Sequence, residues 1–191
     1  MEPDLLQVAR AGIGSRFASA RSERAAEMFG RMSANETSGA YVYGSVGCGK
    51  THLASAVAIE AMRHWWRPTF VGAVSMLGEI RSGYERGSDA RSVADFERSQ
   101  LLVLDDLDKP RPTPWALETL YELLDCRYSN GSKTVVTANC SLAALYQRLA
   151  EADEVLAGAI CDRLRDGTEQ VMLSGESRRG WASDGHGHDR A

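Results

Sequence analysis

The stretch AYVYGSVGCGKTHLASAV, residues 40–57, decides the fold. Its first five residues are a short β-rich run ending in glycine, and its centre matches G-x-x-x-x-G-K-[ST]. An apolar segment suited to a helix on a sheet follows through residue 65, before Pro68. Strand, glycine-rich turn and helix start, in that order, make a cradle for phosphate. Glycines let backbone N–H groups close on the anion without Cβ clashes, and the helix end adds partial positive charge. Gly44, Ser45, Val46, Gly47, Cys48 and Gly49 are the expected cradle, with His52 beside them. Lys50 is expected to reach the β- and γ-phosphates and the Thr51 hydroxyl to ligate Mg²⁺. ATP and magnesium are the expected cofactors. A chance glycine-rich turn would not carry both flanking elements.

Outward from this loop the pattern alternates strand and helix. PTFVGA (68–73) is a strand candidate, and Ser75 is placed to cap a helix running to about residue 84. LLVLDD (101–106) is an unbroken apolar run of the kind buried on both sheet faces. Pro114 opens a helix to residue 128, and KTVVTAN (133–139) reads as another buried strand. Two shorter helices fall within 142–165, and QVMLSG (170–175) is a last strand. Such alternation predicts an α/β fold, a parallel sheet flanked by helices. Residues 1–38 read as helical in parts, with Phe17, Ala18, Ala25, Ala26, Met28, Phe29 and Met32 at helical spacing. A turn is expected over 35–39. The organisation expected is a short helical segment (1–38), a core (39–175) and a largely disordered tail (176–191).

Two further elements bear on chemistry. A strand delivers its last carboxylate to the C-terminal edge of a parallel sheet, where nucleotides lie. Asp105 is thus expected to hold Mg²⁺, and Asp106 to orient an attacking water. Aspartate rather than glutamate in the second place draws the carboxylate back by about 1.5 Å, one C–C bond, so turnover should be slow. Asn139 should sit beside this acid pair, where an amide can hydrogen-bond the water or the γ-phosphate. Asparagine at a strand end otherwise serves as a turn former.

Composition narrows the classes. The net charge of −4 provides no global field for nucleic acid, and basic residues other than Lys50, Lys109 and Lys133 are all arginine. No apolar run approaches the ~20 residues that span a bilayer, and the acidic start MEPDLLQVARAG lacks the features of a signal peptide, which favours the cytoplasm. Cys48, Cys126, Cys140 and Cys161 contain no CxxC pair and read as small buried thiols, with Cys48 open to oxidation in the loop. His186 and His188 in the tail lack metal-binding partners. Trp65 and Trp66, before Pro68, read as packing residues rather than as base-stacking ones.

Taken in order and spacing, GSVGCGKTHLASAV, LLVLDDLD, VVTANCS and CDRLRDGTEQVMLSGESRR resemble the AAA+ ATPases of the DnaC/DnaI helicase-loader and IstB transposition-helper group. The resemblance covers roughly residues 13–179. It implies a P-loop NTPase fold of the AAA+ type and self-association with ATP. It makes Asn139 the sensor-1 position, Arg163 the arginine finger that enters a neighbouring subunit's site, and Arg179 an arginine near the nucleotide. A finger of this kind is worth ~10³-fold or more in rate. Arg163 lies among Asp162, Arg165 and Asp166, which also suits a plain solvated face. Residues 75–98 fall where the group inserts a helix facing single-stranded DNA, yet four arginines against five acids give no basic, aromatic-interleaved pattern there.

The group's separate N-terminal helicase-binding region is expected to be missing or shrunk to one helix, and a C-terminal helical lid to be absent. The leading reading is a helicase loader that delivers a replicative hexameric helicase to single-stranded DNA. Alternatives are an IstB-like helper of a transposase and a nucleotide-binding regulator with little hydrolysis. A small-molecule kinase shares the phosphate loop but fits the acid pair and Asn139 poorly.

Overall fold

In the computed structural model, residues 2–86 and 91–175 are described. Arg179, His186, His188 and the rest of the expected tail lie outside the described residues. Five strands, β1 (Gly39–Gly44), β2 (Pro68–Gly72), β3 (Leu101–Asp105), β4 (Lys133–Ala138) and β5 (Glu169–Leu173), form one parallel sheet in the order β2-β3-β4-β1-β5. The central strands alternate their side chains between two cores, as the two-residue period of a strand requires. Val42, Val103 and Val135 point to one face, and Tyr41, Leu102, Leu104 and Val136 to the other.

The first face is covered by α1 (Leu5–Arg10), α2 (Glu23–Ser33) and α3 (Lys50–Arg63). Ala25, Met28, Phe29 and Met32 of α2 are buried against it, whereas Ala26 is exposed, against expectation, because it falls on the solvent side of the turn. The second face carries α4 (Ala73–Arg86), α5 (Val93–Glu97), α6 (Pro114–Ser129), α7 (Leu142–Ala150) and α8 (Glu154–Gly167). Three helices start as their sequences ask: the Thr113, Ser141 and Asp153 side chains accept the amides of Ala116, Ala144 and Leu156.

Elsewhere tertiary context overrides local signals. Ser75 caps nothing, because the chain enters α4 at Ala73 straight from β2. The short α5, closed by a Ser92–Asp95 capping box, was not expected as a separate helix. Helix α8 runs to Gly167, past the expected end at 165, and β5 begins one residue early and ends at Leu173. Arg127, which the sequence does not single out, is 1% exposed and ties α5 to β4. Its guanidinium donates to the carbonyls of Phe96, Glu97, Ser99 and Lys133 and to the Thr134 hydroxyl. Burial pushes its pKa down to about 10.

Ahead of α2 the chain follows the outer side of β2. The Phe70 amide donates to the Ala11 carbonyl at 2.7 Å. Gly12, at φ +89°, fits because a Cβ there would lie 2.1 Å from the Phe70 carbonyl oxygen. A single 3₁₀ turn, Ser15–Phe17, comes next.

Candidate functional site

Because β4 lies between β1 and β3, the C-terminal ends of these strands meet in one crevice. The phosphate loop leaves β1 there, the acid pair leaves β3 and Asn139 leaves β4. The cleft is lined by Val46, Gly47, Gly49, Lys50, Thr51, His52, Asp106 and Asn139, with Arg16, Phe17 and Lys109. The expected cradle, acid pair and amide therefore converge, while Ser45 takes part through its carbonyl and Cys48 lies buried behind the loop.

Gly49, at φ +102°, caps α3 in the left-handed region and aims the helix N-terminus into the cleft. Lys50 is 5% exposed, and among the described residues its Nζ hydrogen-bonds neutral groups, the carbonyls of Gly44 (2.9 Å) and Ser45 (2.8 Å) and the Cys48 Sγ at 3.9 Å. A buried ammonium with no carboxylate in hydrogen-bond contact is costly. Phosphate oxygens are the anion this geometry suits.

The Thr51 hydroxyl lies 3.2 Å from both Asp105 oxygens. Burial raises the Asp105 pKa and the neighbouring Asp106 adds repulsion, while hydrogen bonds from Thr137 and Thr51 and the charge of Lys50 oppose them. Thr137 Oγ1 donates to Asp105 Oδ1 at 2.6 Å and accepts the Asp106 amide at 2.9 Å. One buried hydroxyl thus fixes both acids. Asp106 sits at φ +56°, a left-handed position that aspartate tolerates better than most residues.

The described residues hold no cluster of three His, Cys, Asp or Glu side chains fit for a metal. Magnesium needs no such cluster, since it is held by one or two carboxylates together with phosphate and water oxygens. Thr51 and Asp105 fit that donor set.

Asn139 is not free in this arrangement. Its Nδ2 donates to both Asp108 oxygens (3.2 and 2.9 Å), and its amide donates to Asp108 Oδ1 at 3.0 Å. Asp108 and Thr137 stand inside motifs that the sequence exposes, LLVLDDLD and VVTANCS, but their pairing depends on β3 lying beside β4. Arg16 and Phe17 carry no sequence signal for the cleft.

Arg163 lies elsewhere, on the α6–α8 surface, and is absent from the cleft of its own chain. Its Nε donates to Asp125 Oδ1 at 2.6 Å, and its guanidinium stands 5.0 Å from the Tyr128 ring centre. Arg165 pairs with Asp162 at 2.8 Å. Trp66 packs against the core beside Phe29, as expected of it, but Trp65 is 73% exposed.

The sequence pattern of IstB-like ATP binding proteins matches residues 12–184. The chain belongs to this family. It is 28% identical over 138 residues to an insertion-sequence ATP-binding protein of Mycobacterium tuberculosis, covering 72% of this chain and 54% of that protein. A second insertion-sequence ATP-binding protein, from Geobacillus stearothermophilus, is 27% identical over 136 residues, covering 71% and 53%. The replicative helicase loader DnaI of Bacillus subtilis is 27% identical over 154 residues, covering 76% and 50%. The chain spans about half the length of these relatives. Among solved structures, the DnaC helicase loader superposes with a TM-score of 0.69 at 24% identity, covering 84% of this chain and all of that one. DnaI follows with 0.68 at 24%, covering 82% and 83%. At that identity the likeness establishes the fold, a P-loop NTPase sheet. No helical lid follows β5 among the described residues, and no described helix is long and apolar enough to cross a membrane.

Proposed function

We propose that the chain is a slow, magnesium-dependent ATPase that works as an assembly switch for an enzyme acting on DNA. The observation that carries this reading is Lys50, a buried cation hydrogen-bonded to neutral groups among the described residues, next to the Thr51–Asp105 pair. With nucleotide present, Lys50 leaves the Gly44 and Ser45 carbonyls for the β- and γ-phosphates. The Thr51 hydroxyl and Asp105 would hold the metal. Magnesium, when bound, would neutralise charge building on the phosphates. Asp106 orients the attacking water, and Asn139 does so only after yielding part of its grip on Asp108. Arg163 completes a neighbouring copy's site after exchanging Asp125 for a phosphate. Arg179 is carried as a further nucleotide contact.

Mixing variants tests the shared site. Lys50→Ala should abolish ATP binding, and Arg163→Ala should keep binding but lose assembly-stimulated turnover. Mixed, the two should recover part of the wild-type rate, because each supplies what the other lacks. Wild-type turnover by Arg163→Ala alone under assembling conditions would sink the idea.

The insertion-sequence relatives support a transposase as the client, ahead of the replicative helicase that the sequence motifs favour. The loader reading keeps support from DnaI. Turnover measured with a transposase encoded beside this chain, with a replicative helicase, and with single-stranded DNA separates the two. Stimulation by helicase alone would reverse the order. No measurable hydrolysis under any condition would leave a nucleotide-binding regulator.

A further inference from the structure

At the opposite end of α3 from the cleft, the chain does something costly. His64 closes the helix, the Trp66 amide donates to the Ala61 carbonyl (3.0 Å) and the Trp65 amide to the Met62 carbonyl (3.0 Å). This is the Schellman arrangement, whose left-handed position is usually glycine. Here that position is Trp65, at φ +67°. A bulky side chain is held in a strained backbone and left 73% exposed. Strain of this kind persists where the surroundings over-determine it, and it is a starting point for a functional hypothesis.

The surroundings form a groove. Met62, Trp65, Trp66 and Pro68 line one side, Pro3, Gln7 and Ala11 the other, and the groove encloses ≈ 620 Å³. Arg10 and Arg67 complete its lining, and neither makes an ion pair among the described residues. Helix α1 also leaves Leu5 and Leu6 exposed, at 75% and 58%. Leu6 stands one helical turn from Arg10. The wall made by residues 3–11 precedes the family match, which begins at residue 12. The other wall, Met62 to Pro68, lies within the matched residues.

We propose that this groove docks an acidic segment of a partner protein, anchored by an apolar side chain against Trp65. Charge complementarity selects that occupant. Two unpaired arginines flank an apolar floor, and planar guanidinium groups favour carboxylates in bidentate pairing. Exposed Leu6, one turn from Arg10, extends the apolar surface, which suits a protein segment better than a nucleic-acid strand. Tryptophan and arginine are the residue types that anchor such interfaces. The groove opens at the N-terminal ends of the strands, whereas the phosphate cleft opens at their C-terminal ends. Helix α3, about 21 Å long, separates them, so both can be filled at once. Docking does not depend on hydrolysis in the cleft.

A benzoylphenylalanine photocrosslinker replacing Trp65 in the full chain, expressed in its native cell, tests the proposal. Mass spectrometry should map the crosslink to a net-acidic segment of a second protein bearing at least one large apolar residue. That segment, synthesised, should bind the purified chain, and R10E/R67E should weaken it at least tenfold. Changing the segment's acids to lysine should restore binding to R10E/R67E. Trp65→Gly should abolish binding while raising the thermal midpoint, since glycine relieves the backbone. A crosslink to nucleic acid, to a second copy of this chain or to nothing overturns the proposal. So does a bound segment whose affinity ignores the arginine reversal.

Discussion

The two ends of α3 solve the same backbone problem in opposite ways. At its start, Gly49 takes a left-handed conformation at no steric cost, and the next residue buries a cation among carbonyls. At its finish, a left-handed position again appears, filled by a tryptophan that faces solvent. The first end puts its unfavourable element inside, as a charge awaiting an anion. The second puts it in the backbone and shows an aromatic ring to the outside. A buried charge favours a small, highly charged ligand, and an exposed ring between arginines favours a larger one.

The contrast breaks most sharply at Lys50. Lys50→Ala should weaken ATP binding by on the order of 100-fold or more, since charge-assisted contacts to phosphate are lost. It should not destabilise the apo chain, because a buried ammonium is removed. Titration with a fluorescent ATP analogue and denaturant melts check both halves. Next in size is Thr137→Val, which keeps the shape and deletes the hydroxyl. The Asp106 amide then loses its partner, at a cost of about 1–3 kcal/mol in denaturant unfolding. Turnover should fall with it, as both acids lose their fixed positions.

Trp65→Gly should move stability the other way. A gain of about 1 kcal/mol is expected, a rise in Tm of roughly 2–4 °C for a chain of this size, with ATP binding unchanged. A fall in Tm would mean that Trp65 packs rather than presents. The smallest effect concerns pH. The folded-state pKa of Asp105 lies above its ordinary value of 3.8, so the folded chain binds a proton more readily than the unfolded one. Its ionised form therefore costs stability at neutral pH, and that cost is relieved as pH falls through the raised pKa. Asp105→Asn should stabilise the apo chain at pH 7, with an advantage that shrinks toward acid, while losing magnesium-dependent ATP binding. An advantage that persists below the ordinary aspartate range would assign it to another cause.

The cleft was legible and the groove was not, for a physical reason. Gly44 to Thr51, Asp105, Asp106 and Asn139 each sit at a strand end, and strand ends are marked locally by apolar runs and glycines. A parallel sheet then brings them together whatever the loops do. Trp65 carries no such mark, since a tryptophan before Trp66 and Pro68 looks like packing until its φ is known. Asp108 and most contacts of Arg127 were missed because those partners lie about thirty residues away, across strand neighbours that the sequence does not order. Ser75 misled because cap preference assumes a break before the helix, and the chain runs on from β2 without one.

The segment along β2 has a consequence for growth. An edge strand with outward amides is a template on which another chain can polymerise. In β2 the Phe70 amide is taken by Ala11, and Pro68, two residues earlier on the same side, has no amide to give. Two outward positions of β2 are thereby closed to a further strand. A chain trimmed past Gly12 would lose that guard, and its tendency to precipitate should rise even where its phosphate cleft is intact.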